Sequence, residues 1–231
     1  MRSTSDTVNR VQRNQVVVFG TGRIAELACF YLTHDSDLEV AGFVIDDEYL
    51  SFSSFCGLPV VTLSRASLEF PPVKFSMFVA VSYSDMNQHR SAKCEWARGL
   101  GYELVSYVSS RATTFGDLTH GDNCLILEDN TIQPFAKLGN NVFLWSGNHI
   151  GHHSVVEDNV FVSSHCVVSG NCRIGHHSFL GVNSSVQNNV EVGARCFVGP
   201  QSLVRHDLAP ESVLIASSTP AQKISSRNLR M

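Results

Sequence analysis

The sequence predicts a chain in two halves: an α/β sheet domain over residues 15–108, then an all-β domain over residues 109–231 in which short strands wind as a parallel helix. Two patterns carry that prediction. From residue 121 an aliphatic side chain returns at every sixth position, a period that neither a 3.6-residue helix nor an alternating strand produces. Ahead of it, an apolar strand runs into a glycine-rich turn and a helix, and strands and helices then alternate.

Residues 1–14 are polar and read as a disordered tail. Residues 16–20 (VVVFG) read as a buried strand that leads into G-T-G-R-I-A, and the apolar spacing over 25–32 predicts a helix. A second strand at 40–45 ends in Asp46 and Asp47. Such a β-α-β turn either presents helix-start N–H groups to a phosphate or lets helix and strand pack closely, and the residues alone leave both readings open. Residues 59–63, 75–82, 85–100 and 103–108 continue the alternation, giving a parallel sheet of four or five strands. That is too short for the paired halves of a dinucleotide dehydrogenase, so no nicotinamide role is expected.

The second half carries fourteen ladder residues without a slip: Ile126, Ile132, Leu138, Leu144, Ile150, Val156, Val162, Val168, Ile174, Leu180, Val186, Val192, Val198 and Val204. Three strands of this kind, one from each hexad, complete a lap, so the ladder lines the inside of a triangular prism. The position four beyond a ladder residue is usually small, as at Ser154, Cys166, Cys172, Ser178, Ser184, Cys196 and Ser202. With Cys124, this places four of the seven cysteines inside as small apolar groups. No C-x-x-C pair occurs, which predicts reduced thiols rather than a disulfide framework or a zinc site. Gly139, Gly151, Gly175, Gly181, Gly193 and Gly199 directly follow ladder residues and are expected to take backbone angles closed to other residues.

Composition narrows the function. Hydrophobic residues make up 43% of the chain and the net charge is -4. The only basic cluster is the group Arg2, Arg10 and Arg13 near the start, so a nucleic-acid partner is not expected. No apolar run reaches the ~20 residues of a membrane helix and no secretion signal opens the chain, which predicts a cytoplasmic protein without membrane insertion.

The stretches H-I-G-H-H-S-V-V (149–156), V-S-G-N-C-R-I-G (168–175), F-L-G-V-N-S-S-V (179–186) and T-P-A-Q-K (219–223), joined to a short Rossmann-like domain, resemble the hexapeptide-repeat sugar acyltransferases. That family includes sialic acid O-acetyltransferases and N-acetyltransferases of UDP-linked 4-amino sugars. The resemblance covers about residues 15–225 and implies a left-handed parallel β-helix, a homotrimer, acetyl-CoA as co-substrate and a nucleotide sugar as partner. The hand comes from the resemblance alone, because parallel crossovers are normally right-handed.

The resemblance also places the chemistry. A histidine at this corner is the family's base, and the matching residue is His152; imidazole titrates near neutral pH and suits proton removal from an attacking amine or hydroxyl. The family usually puts an acid next, where this chain has His153, so the candidate catalytic pair is His152 and His153. His176 and His177 repeat G-H-H-S four hexads later, read here as the next full coil, and stand as the alternative. Consecutive strand residues point to opposite faces, so a metal shared by His152 and His153 is not expected. The acyl-CoA role carries over to Gly170, Val182, Gly199 and Pro200, although proline lacks a backbone donor. The nucleotide-sugar role carries over to Gly20, Gly22, Asp46, Asp47 and Arg90, with Asn87 and Arg90 matching the family's N-x-x-R and Arg90 expected to meet a phosphate. Ile24 and Glu26 stand where the family commonly has histidine and lysine.

The expected reaction is direct transfer of an acyl group, acetyl foremost, from CoA to an amino or hydroxyl group of a nucleotide-linked sugar, with no covalent enzyme intermediate. Three alternatives remain open: O-acetylation of a free sugar such as sialic acid, a non-catalytic trimeric scaffold, and a zinc-dependent hydratase on the same prism.

Overall fold

In this computed structural model the described residues are 14–228 other than 117, 222 and 224. The expected tail therefore lies outside them apart from Asn14, as does one residue of T-P-A-Q-K.

The N-terminal elements are β1 (Gln15–Phe19), α1 (Arg23–His34), β2 (Glu39–Ile45), β3 (Ser54–Phe55), β4 (Leu58–Thr62), α2 (Ala66–Glu69), β5 (Ser76–Val79) and α3 (Gln88–Gly99). They build a sheet of order β3-β4-β2-β1-β5, parallel except for the β3–β4 hairpin. Alternation along β1 divides the core. Val16 and Val18 join Ala25, Ala28 and Leu32 of α1, whereas Val17 and Phe19 join Cys94 and Ala97 of α3.

The strand expected over 103–108 divides in two. Leu104 bridges Met77 at the sheet edge, while β6 (Tyr107–Val108) pairs with Leu125–Ile126 and so belongs to the C-terminal half.

That half is a left-handed parallel β-helix. Its first face stacks residues 125–126, 143–144, 161–162, 179–180 and 197–198; the second stacks 131–132 through 203–204; the third stacks 137–138 through 191–192. Each lap advances the chain by three hexads on every face, as in Phe143 against Phe161, His149 against Val167 and Val155 against Arg173. The final lap is tighter, and Phe197 meets Val213. All fourteen ladder side chains point inward and none is more than 4% exposed. Cys124, Cys166, Cys172 and Cys196 lie among them, and burial raises the pKa of each thiol.

The corners correct one expectation. The left-handed residue is the third of each corner, not the glycine after the ladder residue: Asn141, His153, Asn159 and His177 have φ of 58°, 60°, 64° and 60°. Asparagine tolerates this region best among residues with a side chain. The glycines answer to crowding between laps instead, since a Cβ on Gly151 would stand 2.5 Å from the amide nitrogen of Gly170.

One outer face is apolar. Phe143, Phe161, Phe179 and Phe197 recur once per lap on the first face, with ring centroids 6.1, 5.7 and 5.1 Å apart. Phe78 of β5 stacks on Phe143 at 6.0 Å, and Tyr83 meets Phe161 and Phe179 at 4.9 and 4.7 Å. The α/β domain is thereby packed against the prism as one continuous core.

Polar groups finish that junction. The amide ladder Asn123–Asn141–Asn159 runs down the prism edge with bonds of 2.8 and 2.7 Å, and Asn123 also pairs with the backbone of Val79 at 2.7 and 3.1 Å. Asn123 and Asn141 are buried, so the bonds they make replace ones that solvent would otherwise supply.

Candidate active site

His152 and His153 occupy the corner that joins the second and third faces, the prism edge opposite the first face and its α/β domain. The peptide there is pinned by both neighbouring laps. His152 N–H donates to Gln133 Oε1 at 2.9 Å, and its carbonyl accepts from Asn171 N–H at 2.9 Å. The imidazole lies over Gly170, where a Cβ would be 2.6 Å from both Cε1 and Nε2. A glycine is therefore required one lap on for the ring to sit where it does.

Two expectations about these histidines are corrected. Because a lap takes three hexads, an offset of four is one lap plus one face, so His176 and His177 lie on the next prism edge rather than on the next coil of the same edge. The pair 152–153 also does not splay to opposite faces. The rule of alternation holds in strands, whereas the left-handed turn at His153 brings the two Nδ1 atoms to 3.1 Å. His153 is braced by Phe135, ring centroids 4.7 Å apart.

The second pair repeats this geometry. His176 N–H donates to Glu157 Oε2 at 2.8 Å, and its Nδ1 is 3.0 Å from that of His177. Burial, followed by the neighbouring His176, lowers the pKa of His177. A cleft of about 530 Å³ beside His153 and one of about 650 Å³ beside His177 share Thr119, Lys137 and Val155, forming one trough across the third face.

The residues expected to hold acyl-CoA flank the second face. Val182 and Pro200 share the corner between the first and second faces, one lap apart, with Gly199 beside them, while Gly170 is on the His152 edge. Exposed apolar side chains stand around them, Val167, Val182 and Leu203 at 42%, 40% and 56%, with Ser185 between Val167 and Leu203 on the face. The amide of Gly170 already donates to Asn188 Oδ1 at 2.9 Å and that of Gly199 to Leu214 O at 2.7 Å. What these glycines offer is close surface rather than free N–H groups.

Sequence reasoning missed Gln133 and Asn188. Each fixes its side-chain oxygen on a backbone N–H at the His152 edge, which leaves an oriented NH2 group. Their signal was the three-hexad lap, which stacks position 188 beneath 170 and 152.

Of the residues expected to bind a nucleotide, Gly20, Gly22, Asp46 and Asp47 gather at one end of the sheet. Gly20 has φ +112° and lies so near β5 that a Cβ would be 3.0 Å from Ala80 O, and Gly22 is the N-cap of α1 without a side-chain cap. Asp46 is ion-paired with Lys93, and Asp47 accepts from Ser64 N–H at 3.0 Å, which lowers its pKa.

Arg90 is corrected. It is fully buried, with Nε on Asn141 Oδ1 at 2.9 Å, its other nitrogens on the carbonyls of Asn141 at 3.2 Å and Ser82 at 3.3 Å, and its guanidinium 4.2 Å from the centroid of Phe143. Desolvation pulls its pKa down to about 9. It joins the two halves of the chain and cannot meet a phosphate. Asn87 does related work, donating to the carbonyls of His177 and Ser178 at 3.3 Å each.

The family described as bacterial transferase hexapeptide (six repeats) matches residues 135–170 and 171–206. The chain shares its fold with sugar acetyltransferases of known structure. A histidine variant of perosamine N-acetyltransferase from Caulobacter crescentus, in complex with CoA and GDP-perosamine, is 23% identical with a TM-score of 0.77 over 86% of this chain and 92% of that one. The acetyltransferase domain of PglB from Neisseria gonorrhoeae, in complex with acetyl coenzyme A, is 21% identical with a TM-score of 0.74 over 87% and 95%. No curated protein matched the chain.

Proposed function

We propose that this protein transfers an acyl group, acetyl foremost, from CoA to an amino or hydroxyl group of a nucleotide-linked sugar. The observation that carries the reading is His152: an imidazole at an open prism edge, pinned at its backbone, with its Nε2 unpartnered among the described residues and room made for it by Gly170. The matched structures with CoA or acetyl-CoA bound support the same reading.

The acyl arm lies along the second face, past Val182 and the Gly199–Pro200 corner, and delivers its thioester at Gly170. The acceptor nitrogen or oxygen attacks the carbonyl carbon while His152 Nε2 takes its proton. The side-chain NH2 groups of Asn188 and Gln133 are donors for the tetrahedral oxyanion. As the C–S bond breaks, the proton passes from the imidazolium to the departing CoA sulfur, so no covalent enzyme intermediate is needed.

The reading also calls for a second copy. Within one chain the α/β domain covers the first face, and His152 stands on the edge opposite it. A nucleotide held at Gly20, Gly22, Asp46 and Asp47 therefore reaches the His152 edge of a neighbouring chain, and a homotrimer closes this arrangement.

Incubation with acetyl-CoA and a panel of nucleotide-linked amino and deoxy sugars, followed by mass spectrometry, tests the proposal. One acetyl mass gained by a sugar nucleotide, with stoichiometric release of free CoA thiol, is expected. Acetylation of free sugars only would favour the alternative acceptor, and no CoA binding by calorimetry would leave a scaffold.

A further inference from the structure

An imidazole acts as a base only through a nitrogen that lacks a proton, so the tautomer of His152 decides whether Nε2 can work at all. A free histidine favours the proton on Nε2, the wrong form for a base that presents this atom to substrate. Something must hold the proton on Nδ1, and the hydrogen bond made by that nitrogen decides it. Where a carboxylate is absent, the holder must be another acceptor.

We propose that His153 is the positioning residue that sets this tautomer. Its Nδ1 lies 3.1 Å from Nδ1 of His152, a distance that requires one nitrogen to donate and the other to accept. With His153 in its Nε2–H form, its bare Nδ1 accepts the Nδ1–H of His152 and leaves the lone pair of His152 on Nε2, the atom that lies over Gly170. The left-handed backbone at His153, φ 60°, aims the ring back at its neighbour, and Phe135 braces it from the other side. The second G-H-H-S corner makes the same contact at 3.0 Å between His176 and His177, so the local sequence enforces the geometry.

The surroundings are neutral on most sides. Gln133 and Asn171 come from the adjoining laps, Asn188 lies beneath Gly170, and Lys137 is the charged group sharing the cleft with His153. No carboxylate among the described residues is ion-paired with either ring. The dyad therefore orients the base without adding negative charge.

This inference rests on the proposed base, and two readouts separate their failures. Nitrogen-15 NMR of the imidazoles reads the tautomer without any substrate. In the unaltered protein with the imidazoles neutral, His152 is expected as the Nδ1–H form; in His153→Gly, which tolerates the left-handed backbone, it should revert largely to Nε2–H. An unchanged tautomer in His153→Gly would overturn the proposal, whatever the activity. With the acyl-transfer assay in hand, His153→Gly is expected to lose roughly 10-fold or more in kcat with KM little changed, part of what a general base contributes. His153→Asp should recover kcat and move the acid limb of the rate profile upward by about one pH unit, because a carboxylate stabilises the imidazolium. An unshifted acid limb in His153→Asp would count against the dyad. A tautomer shift without transfer to any sugar nucleotide would leave the dyad standing and remove the proposed activity.

Discussion

Two residues show how little space separates function from packing in this fold. Gly170 carries no strained backbone angle, yet an added methyl would collide with the His152 ring rather than with another backbone. We expect Gly170→Ala to leave the thermal midpoint almost unchanged while lowering kcat at least ~10-fold, because the displaced group is the mobile end of the base. Circular dichroism melting beside steady-state kinetics checks both halves. Asp35 illustrates the opposite case, a charge with a structural duty. Hydrogen bonds from Ser110 and Tyr107 hold its carboxyl well below the usual carboxylate range. A depressed folded pKa gives stability that is complete above the unfolded value and fades as pH falls through the folded one. Asp35→Asn should therefore melt lower than the unaltered protein at neutral pH, and the two midpoints should converge in strong acid.

At the scale of elements, the inner ladder dominates stability. Leu180 is wholly buried between laps, and Leu180→Ala is expected to cost about 2–5 kcal/mol, measurable by urea unfolding. This ladder was legible in the sequence because its period is local: each aliphatic residue declares itself within one hexad. The corners were less legible. Their left-handed residues include asparagine, histidine, arginine and glutamine, which carry no shared signature, so the glycines drew the expectation instead. The same gap hid the His152–His153 contact, for strand alternation says nothing about a turn. The four phenylalanines, one per lap, were readable as a docking face once the lap length was known. Arg90 was misread because a motif on a helix does not report which side of that helix is covered.

The whole molecule has three apolar clusters: the prism ladder, the far side of the sheet and, between them, the phenylalanine seam that Arg90 and the asparagine ladder close. Arg90→Ala should lower stability by about 3 kcal/mol or more, since it opens a void and strips buried carbonyls of their donor. No helix among the described residues is long and apolar enough to cross a membrane. Under the proposed function the nucleotide and His152 come from different chains, so light scattering coupled to gel filtration is expected to report a trimer. The most direct test remains the base itself. Under single-turnover conditions with acetyl-CoA and the acetylated sugar nucleotide's precursor, His152→Ala is expected to slow transfer by roughly 100-fold or more at unchanged CoA affinity; transfer at the unaltered rate would contradict it.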